Sequence, residues 1–599
     1  MPGIVIALLS AYGGVRWIIA LCGLSGSGTH PLWMWPIVAV CFCAARRFIL
    51  LRADATQRRA LAFALCLLFF QILGRQYDFA RQEDSGVTAG GWMAWLTCLG
   101  AAALAAPVLA WPLAALMMRL KARTAGEVPG IRLTGQGFFI VCVVALMVMW
   151  QPYHWAYYPG LVEYDSGYQL WQTWNRVYDA SNPLLHTLIL GAFYLTGEKI
   201  ATATAGIAAF CWVQRLFAAC CIGYALSTLK RNRAPMPALA AALLFFGLLP
   251  VFPMLAISCT KDVPFYALTV AQMSMIFDGC RNLGRVQKKR FWIALSAVTA
   301  LACLFRSNVL PAMLAVPLLI CWVSRNGSLR RALAVFLAAG VLLAWGVNAL
   351  LAGGLKAHEP LMREALSAPI IQLARVDYYH EEADRDLSEN HAELVETPLT
   401  YIPLAADLSK WAFEIDRGNL GEFAALWWKY LVRFPRDYVD AFLLLNKGYF
   451  YIWDTTYARV YGDDGELRTG AIPSRVSQNI ESIVESPRLP DFREHLEHMY
   501  TTNDYLKIPV YRLLLCPALY VWLTLFALLC AIDGGRWDVR MIARYAALFL
   551  AALLLGPCCI LRYALLFMLL VPLLAGMLLC PSEGMIRPED QLAAFGKRF

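Results

Sequence analysis

Gly137-Phe-Phe-Ile-Val-Cys-Val-Val-Ala-Leu-Met-Val-Met-Trp-Gln-Pro-Tyr153 is a run of 17 residues without a charge, and it opens into His154-Trp-Ala-Tyr-Tyr-Pro-Gly-Leu-Val-Glu163-Tyr-Asp165-Ser-Gly-Tyr-Gln169. The run is too long for a buried strand and carries no polar alternation, so it reads as a helix crossing a bilayer. Only a helix satisfies all its own backbone polar groups where there is no water. The aromatics that follow read as an interfacial belt, and the acids beyond them as a loop in water.

Outward from this stretch the same pattern recurs. Apolar windows of helical length cover 4–23, 31–45, 60–74, 91–118, 137–153, 203–227, 236–256, 263–279, 291–305, 309–324, 330–352, 508–532, 541–557 and 561–580. Arg16 interrupts the first. Of the 599 residues 59% are hydrophobic and 16% charged, against about 25% charged in a soluble domain. The expected fold is therefore an all-α polytopic membrane protein with about fourteen spans. The N-terminus lacks a basic region ahead of its apolar stretch, so no cleaved leader is expected.

Loop charge orients the spans. Basic clusters lie at Arg46–Arg59, Arg119–Arg123, Lys230–Arg233, Arg281–Arg290, Arg325–Arg331 and Arg536–Arg544. Fourteen spans put all six on one side, which should be the cytoplasm, together with both termini. The long segment 354–506 then lies outside. It holds 15 basic and 26 acidic residues, a net of −11, while the rest of the chain carries +21. The basic balance thus reflects membrane orientation and calls for no nucleic-acid partner. Residues 354–506 read as a mostly helical extracytoplasmic domain. Four parts follow: accessory helices 1–130, a core 131–353 with its first outer loop at 154–202, the outer domain, and terminal helices 507–599. The 18 cysteines sit mainly in apolar runs, with none between Gly354 and Leu506. They read as small hydrophobes.

Ionisable residues gather at the outer span ends. They are Glu163 and Asp165, then His186 in Asn182-Pro-Leu-Leu-His186-Thr, then Lys261 and Asp262 after Thr260, then Arg306-Ser-Asn308, and finally Arg562-Tyr563. Singly each reads as a cap or an interface anchor. Together on one face they point to a shared site, because charges at that depth need partners or a wet cavity. His186 suits a local hydrogen bond as well as it suits substrate. His380, His391, His495 and His498 do not form a convincing metal cluster.

These motifs resemble the GT-C superfamily of integral membrane glycosyltransferases. The likeness rests on Glu163-Tyr-Asp165-Ser in the first outer loop and Asn182-Pro-x-x-His186-Thr downstream; a further set combines Pro159-Gly160 ahead of Asp165-Ser166 with Thr260-Lys261-Asp262, Arg306-x-Asn308, Asp407-Leu-Ser-Lys-Trp411 and Arg562-Tyr563. The set is also similar to an uncharacterised bacterial membrane family assigned to that superfamily. The resemblance implies transfer of a sugar from a polyprenyl-phosphate donor to a glycan, lipid or protein acceptor at the outer face of the cell membrane. It implies an inverting reaction in which Asp165 or Glu163 is the base. His186, Lys261, Asp262, Arg306, Asn308, Arg562 and Tyr563 would bind substrate. Several relatives carry adjacent acids where Tyr164 here separates them, which leaves open the identity of the base and the use of a divalent cation. The alternative is a multi-span transporter or flippase for a lipid-linked envelope precursor. Such a protein should show paired repeats and broken helices in two halves, and the sequence has no such pairing.

In a cysteine-depleted background, Gly418→Cys should react with an impermeant thiol reagent added from outside, and Gly284→Cys should not. The reverse labelling pattern would overturn this orientation.

Overall fold

The computed structural model describes residues 2–21, 38–43, 45–46, 54–82, 91–122, 134–163, 165–306, 313, 315, 328–396, 399–454, 459–461, 467–469, 480, 482–502, 504–582 and 585. The described chain is helical apart from a short antiparallel ribbon that pairs Arg459–Tyr461 with Leu467–Thr469. The helices that position the site are α1 (Pro2–Leu21), α2 (Ala55–Gln82), α3 (Gly91–Ala122), α4 (Gly135–Ala156), α5 (Ser166–Asn175), α6 (Leu184–Ile200), α7 (Ala203–Arg231), α8 (Met236–Leu248), α9 (Val251–Ala256), α10 (Asp262–Gly279), α11 (Lys289–Phe305) and α12 (Ser328–Leu355). They are followed by α13 (Ser367–Tyr379), α14 (Glu381–Asn390), α15 (Leu420–Arg433), α16 (Pro435–Leu445), α17 (Pro490–Thr501), α18 (Pro517–Asp533), α19 (Trp537–Leu553) and α20 (Leu561–Leu579).

Six of the described helices are long and apolar enough to cross a membrane: Ala55–Asp78, Met93–Ala122, Gly135–Ala156, Ala203–Arg231, Leu329–Leu355 and Leu561–Leu579. Ile4–Arg16, Met236–Leu248 and Pro517–Asp533 are shorter apolar helices. The chain is an α-helical protein of membrane character. Several windows differ from their expected bounds. Arg16 does not interrupt α1. The 236–256 window breaks into α8 and α9 around Pro250, whose missing N–H ends the helical ladder. The 508–532 window breaks similarly before Pro517, which takes the first turn of α18. Most of 31–45, nearly all of 309–324 and Asn308 lie outside the described residues.

At the centre stands α10, with all 18 of its residues buried. It packs on α7, α11, α19 and α20. Basic side chains gather at its far end. Arg285 and Arg231 reach Asp278 at 2.6 and 3.6 Å, and Arg281 reaches Asp538 at 2.9 Å. Arg59 lies 2.5 Å from Asp533, and the Arg330 guanidinium sits 4.9 Å from the Trp537 ring centre. Four basic clusters of the sequence therefore meet at one end of the bundle; Arg536, 2.9 Å from Asp538, adds the fifth and Lys121, 3.8 Å from Asp533, the sixth. Asp278 lies 16 residues along α10 from Asp262, about 24 Å at the helical rise.

Within residues 354–506, α13 to α16 share a core of Ile370, Leu373, Val376, Leu387, Phe413, Phe423, Leu426 and Tyr438. Tyr449, Leu496, Tyr500 and Tyr505 pack instead into the main helical core. The N-terminal helices join that junction: Gln71 donates to the Phe450 carbonyl at 2.6 Å and accepts from the Ile452 N–H at 2.8 Å. Tyr77 donates to Asp440 at 2.7 Å.

Asp377, on α13, is buried with Oδ2 accepting from the Leu399 N–H at 3.1 Å and Oδ1 without a partner. Burial pushes its carboxyl up to about 6 from 3.8, with Asp384 adding to the rise. The folded chain thus binds an extra proton between about pH 4 and 6. Stability from this group is present at the acid end and falls as pH rises through 6. Asp377→Asn keeps the acceptor and removes the charge. It should stabilise this unit by about 1–3 kcal/mol above pH 6 and not at pH 4. Slower hydrogen exchange across 394–401 at neutral pH is the expected readout, and unchanged exchange would refute it.

Candidate active site

The loop after α4 reaches the centre of the bundle by a close backbone approach. Gly160 takes φ +135°, and a Cβ there would meet Cys211 Sγ at 2.3 Å and the Ile257 carbonyl oxygen at 2.9 Å. Glycine alone fits both the conformation and the space. Leu161 then bridges to Ser258: its N–H donates to the Ile257 carbonyl at 3.0 Å, and the Cys259 N–H donates back to the Leu161 carbonyl at 2.8 Å. The side chain of Gln214 holds the same turn by donating to the carbonyls of Ala256 and Ser258 at 3.1 and 2.6 Å. This clamp sets Asp165, at the start of α5, against the start of α10.

Asp165 occupies the N-cap position of α5, yet its side chain makes no capping hydrogen bond. Its Oδ2 lies 2.6 Å from Lys261 Nζ instead. Lys261 also donates to Asn182 Oδ1 at 2.7 Å. Asp165 of the first loop and Asn182 of the Asn182-to-His186 motif thereby flank one lysine. Asp165 keeps 45% of its side-chain surface accessible although protein crowds it on most sides. Burial alone would raise its pKa. Lys261, then Arg562 and more weakly Arg306, overcome that and hold the carboxyl down at about 2.

Beside this pair, Asp262 is 1% exposed and receives two arginines from different helices. Arg306, at the end of α11, pairs with its Oδ1, and Arg562, in the first turn of α20, lies 3.4 Å from its Oδ2. Arg306 also donates to the Tyr266 hydroxyl at 2.8 Å, one turn along α10, and its guanidinium sits 5.2 Å from the Tyr563 ring centre. The Tyr266 hydroxyl donates to the Tyr563 carbonyl at 3.1 Å. Three cations and two carboxylates thus converge from α5, α10, α11 and α20. Residues 405–410 lie against the turn ahead of Arg562. Ala405 pairs with Cys558, the Ala406 N–H donates to the Pro557 carbonyl at 2.8 Å, and Asp407 follows with its side chain 53% exposed and 2.8 Å from Lys410.

Of the residues singled out from sequence, Asp165, Lys261, Asp262, Arg306, Arg562 and Tyr563 come together. Glu163 is 7% exposed and turns to other company: its charge acts on Tyr157 and Cys259. His186 is fully buried. Its Nδ1 sits 2.9 Å from Gln169 Oε1, and the same amide donates to Thr187 at 3.0 Å. That arrangement is the local hydrogen bond, with burial and Lys261 holding the imidazole down at about 3. Asn182 and Tyr266 belong to the cluster and were not among the expected site residues. Tyr266 could have been found, since it lies four residues after Asp262 and so on the same helical face. Among the described residues, no three His, Cys, Asp or Glu side chains form a group fit to hold a metal ion.

Asp262→Ala would leave Arg306 and Arg562 buried without their shared anion. The loss should be about 3–5 kcal/mol, seen as a lower unfolding temperature in detergent. Adding Arg306→Met should recover part of it. An unchanged unfolding temperature for the single variant would show that Asp262 does not hold the cluster.

Comparison with known proteins assigns the chain to a family. Residues 164–591 match a family of unknown function (DUF6020), so most of the chain, with all of the cluster just described, belongs to that family. No curated protein and no solved structure matches.

Proposed function

We propose that this member of the DUF6020 family is a GT-C-like glycosyltransferase. It moves a sugar from a polyprenyl-phosphate donor to an acceptor hydroxyl at the outer face of the cell membrane. In this reading the chain crosses the membrane about fourteen times, with both termini in the cytoplasm and 354–506 outside. The observation that carries the proposal is an accessible carboxylate, Asp165, touching one cation and lying in the field of two more, at the end of the bundle opposite the basic loops.

The chemistry asks for two things at one point. A carboxylate must take the proton of the acceptor hydroxyl as its oxygen bonds to the anomeric carbon. Cations must meet the phosphate as the bond from that carbon to the phosphate oxygen breaks, leaving a polyprenyl phosphate. Asp165 fits the first need. Lys261, Arg306 and Arg562 fit the second.

A carboxyl held near 2 is a weak base, because the useful value lies near the working pH. The pair with Lys261 is therefore the resting arrangement. An arriving phosphate competes for Lys261, and as the ammonium moves toward it Asp165 gains basicity. Donor binding and base activation become one event. Asp262 has the opposite role: enclosed and shared by two arginines, it keeps them aimed and takes no proton.

Asp165→Asn tests the assignment cleanly, because its side chain caps nothing. The variant should fold as wild type and lose transfer by a factor of about 10² or more. Glu163→Gln should be milder. A fully active Asp165→Asn chain, assayed with a donor that wild type uses, would remove Asp165 from the mechanism.

A further inference from the structure

Cys211 and Cys259 lie at the hinge between the first outer loop and the turn that carries Lys261 and Asp262. Both are free and buried, 48 residues apart in sequence, with their sulfurs 3.6 Å apart. Cys211, on α7, also donates to the Ile257 carbonyl at 3.1 Å. The surrounding backbone is held tightly. Leu161 donates to the Ile257 carbonyl and accepts from the Cys259 N–H here, Gln214 holds the carbonyls of Ala256 and Ser258, and Gly160 puts no side chain against the Cys211 sulfur. In the bland reading the two thiols share a weak S–H···S contact. Yet these sulfurs need to close by only about 1.5 Å to reach the bonded distance of about 2.05 Å.

We propose that Cys211 and Cys259 are a disulfide site, and that the bond staples α7 to the turn bearing Lys261 and Asp262. Disulfides form and persist on the outer side of a cell membrane, the side that loop charge assigns to this turn. Cys211 is eight residues into α7, about 12 Å at the helical rise. The oxidant is an exchangeable disulfide of the thiol–disulfide oxidase class. One cysteine gives up its proton and attacks that disulfide, forming a mixed disulfide and releasing one oxidant thiol. The second cysteine, as thiolate, then attacks the first and releases the other oxidant thiol. Two protein thiols are oxidised and one oxidant disulfide is reduced to two thiols.

The bond acts on the site through position. Lys261 is two residues beyond Cys259, and Asp165 four beyond Leu161, so a covalent tie at this point fixes the height at which the two charges meet. It rests on the orientation of the chain and not on transfer itself.

Full-length protein should be purified without reductant, with free thiols alkylated at lysis, and digested without reduction. The expected product is a Cys211–Cys259 peptide pair, two hydrogens lighter than the thiols, in the majority of chains. It should vanish in Cys211→Ser and in Cys259→Ser. Hydrogen exchange across 256–262 should speed up when wild type is reduced and stay unchanged when Cys259→Ser is treated alike. Asp165→Asn should form the bond as wild type does, which separates this proposal from the transferase reading. Recovery of both cysteines as alkylated thiols, even after treatment with the small oxidant diamide, would overturn it. So would their pairing with other cysteines.

Discussion

A buried carboxylate with two arginines is the interaction on which this end of the helical bundle depends. Asp262 begins a helix that has no exposed residue, so its charge has no water to meet it. Such a charge persists only when partners answer it. Arg306 comes from the end of one helix, against Tyr266 and Tyr563, and Arg562 from the start of another, against Tyr563. Satisfying one anion therefore ties three helices together at one level. The pair of Asp165 and Lys261 stands beside this knot and differs from it in being open.

That difference divides structural charge from chemical charge. Both aspartates lie among the same cations, but Asp262 is sealed while Asp165 keeps nearly half its side-chain surface accessible. A sealed pair is costly to break and holds geometry. An open one can exchange partners when an anion arrives. The segment 354–506 adds to this arrangement by laying Ala405 and Ala406 across Pro557 and Cys558, so the residues that follow, Asp407 and Lys410, stand by the turn that leads to Arg562.

The two ends of α10 make a second division. Asp262 gathers arginines at one end, and Asp278, some 24 Å along the same helix, gathers Arg231 and Arg285 at the other. Between them the helix carries only apolar and small polar side chains, all buried. A bilayer explains this polarity economically: charges collect where water or headgroups begin, and the interval between is comparable with a hydrocarbon core of about 30 Å.

Much of this could be read from the sequence by itself. Uncharged runs such as 137–153 declare helices of membrane character, because a long apolar stretch leaves the backbone no other way to satisfy itself. The alternation of basic loops declares which ends share a side, and Arg59, Lys121, Arg231 and Arg285 do meet at one end. Asp165, Lys261, Asp262, Arg306 and Arg562 stood out because a charge at a span end is rare and expensive. Three-dimensional packing decided how they pair. No spacing in the sequence shows that Asp262, and not Asp165, takes both arginines, since the partners lie 44 and 300 residues away. Nor does it show that Asp165 at a helix start declines the capping role its residue type favours. Glu163, two residues from Asp165, is carried to a different environment, because the Leu161 bridge to Ser258 fixes the direction in which the chain leaves. Residue type and periodicity are local properties, whereas the pairing of charges is set by which helices touch, and that is a property of the whole fold.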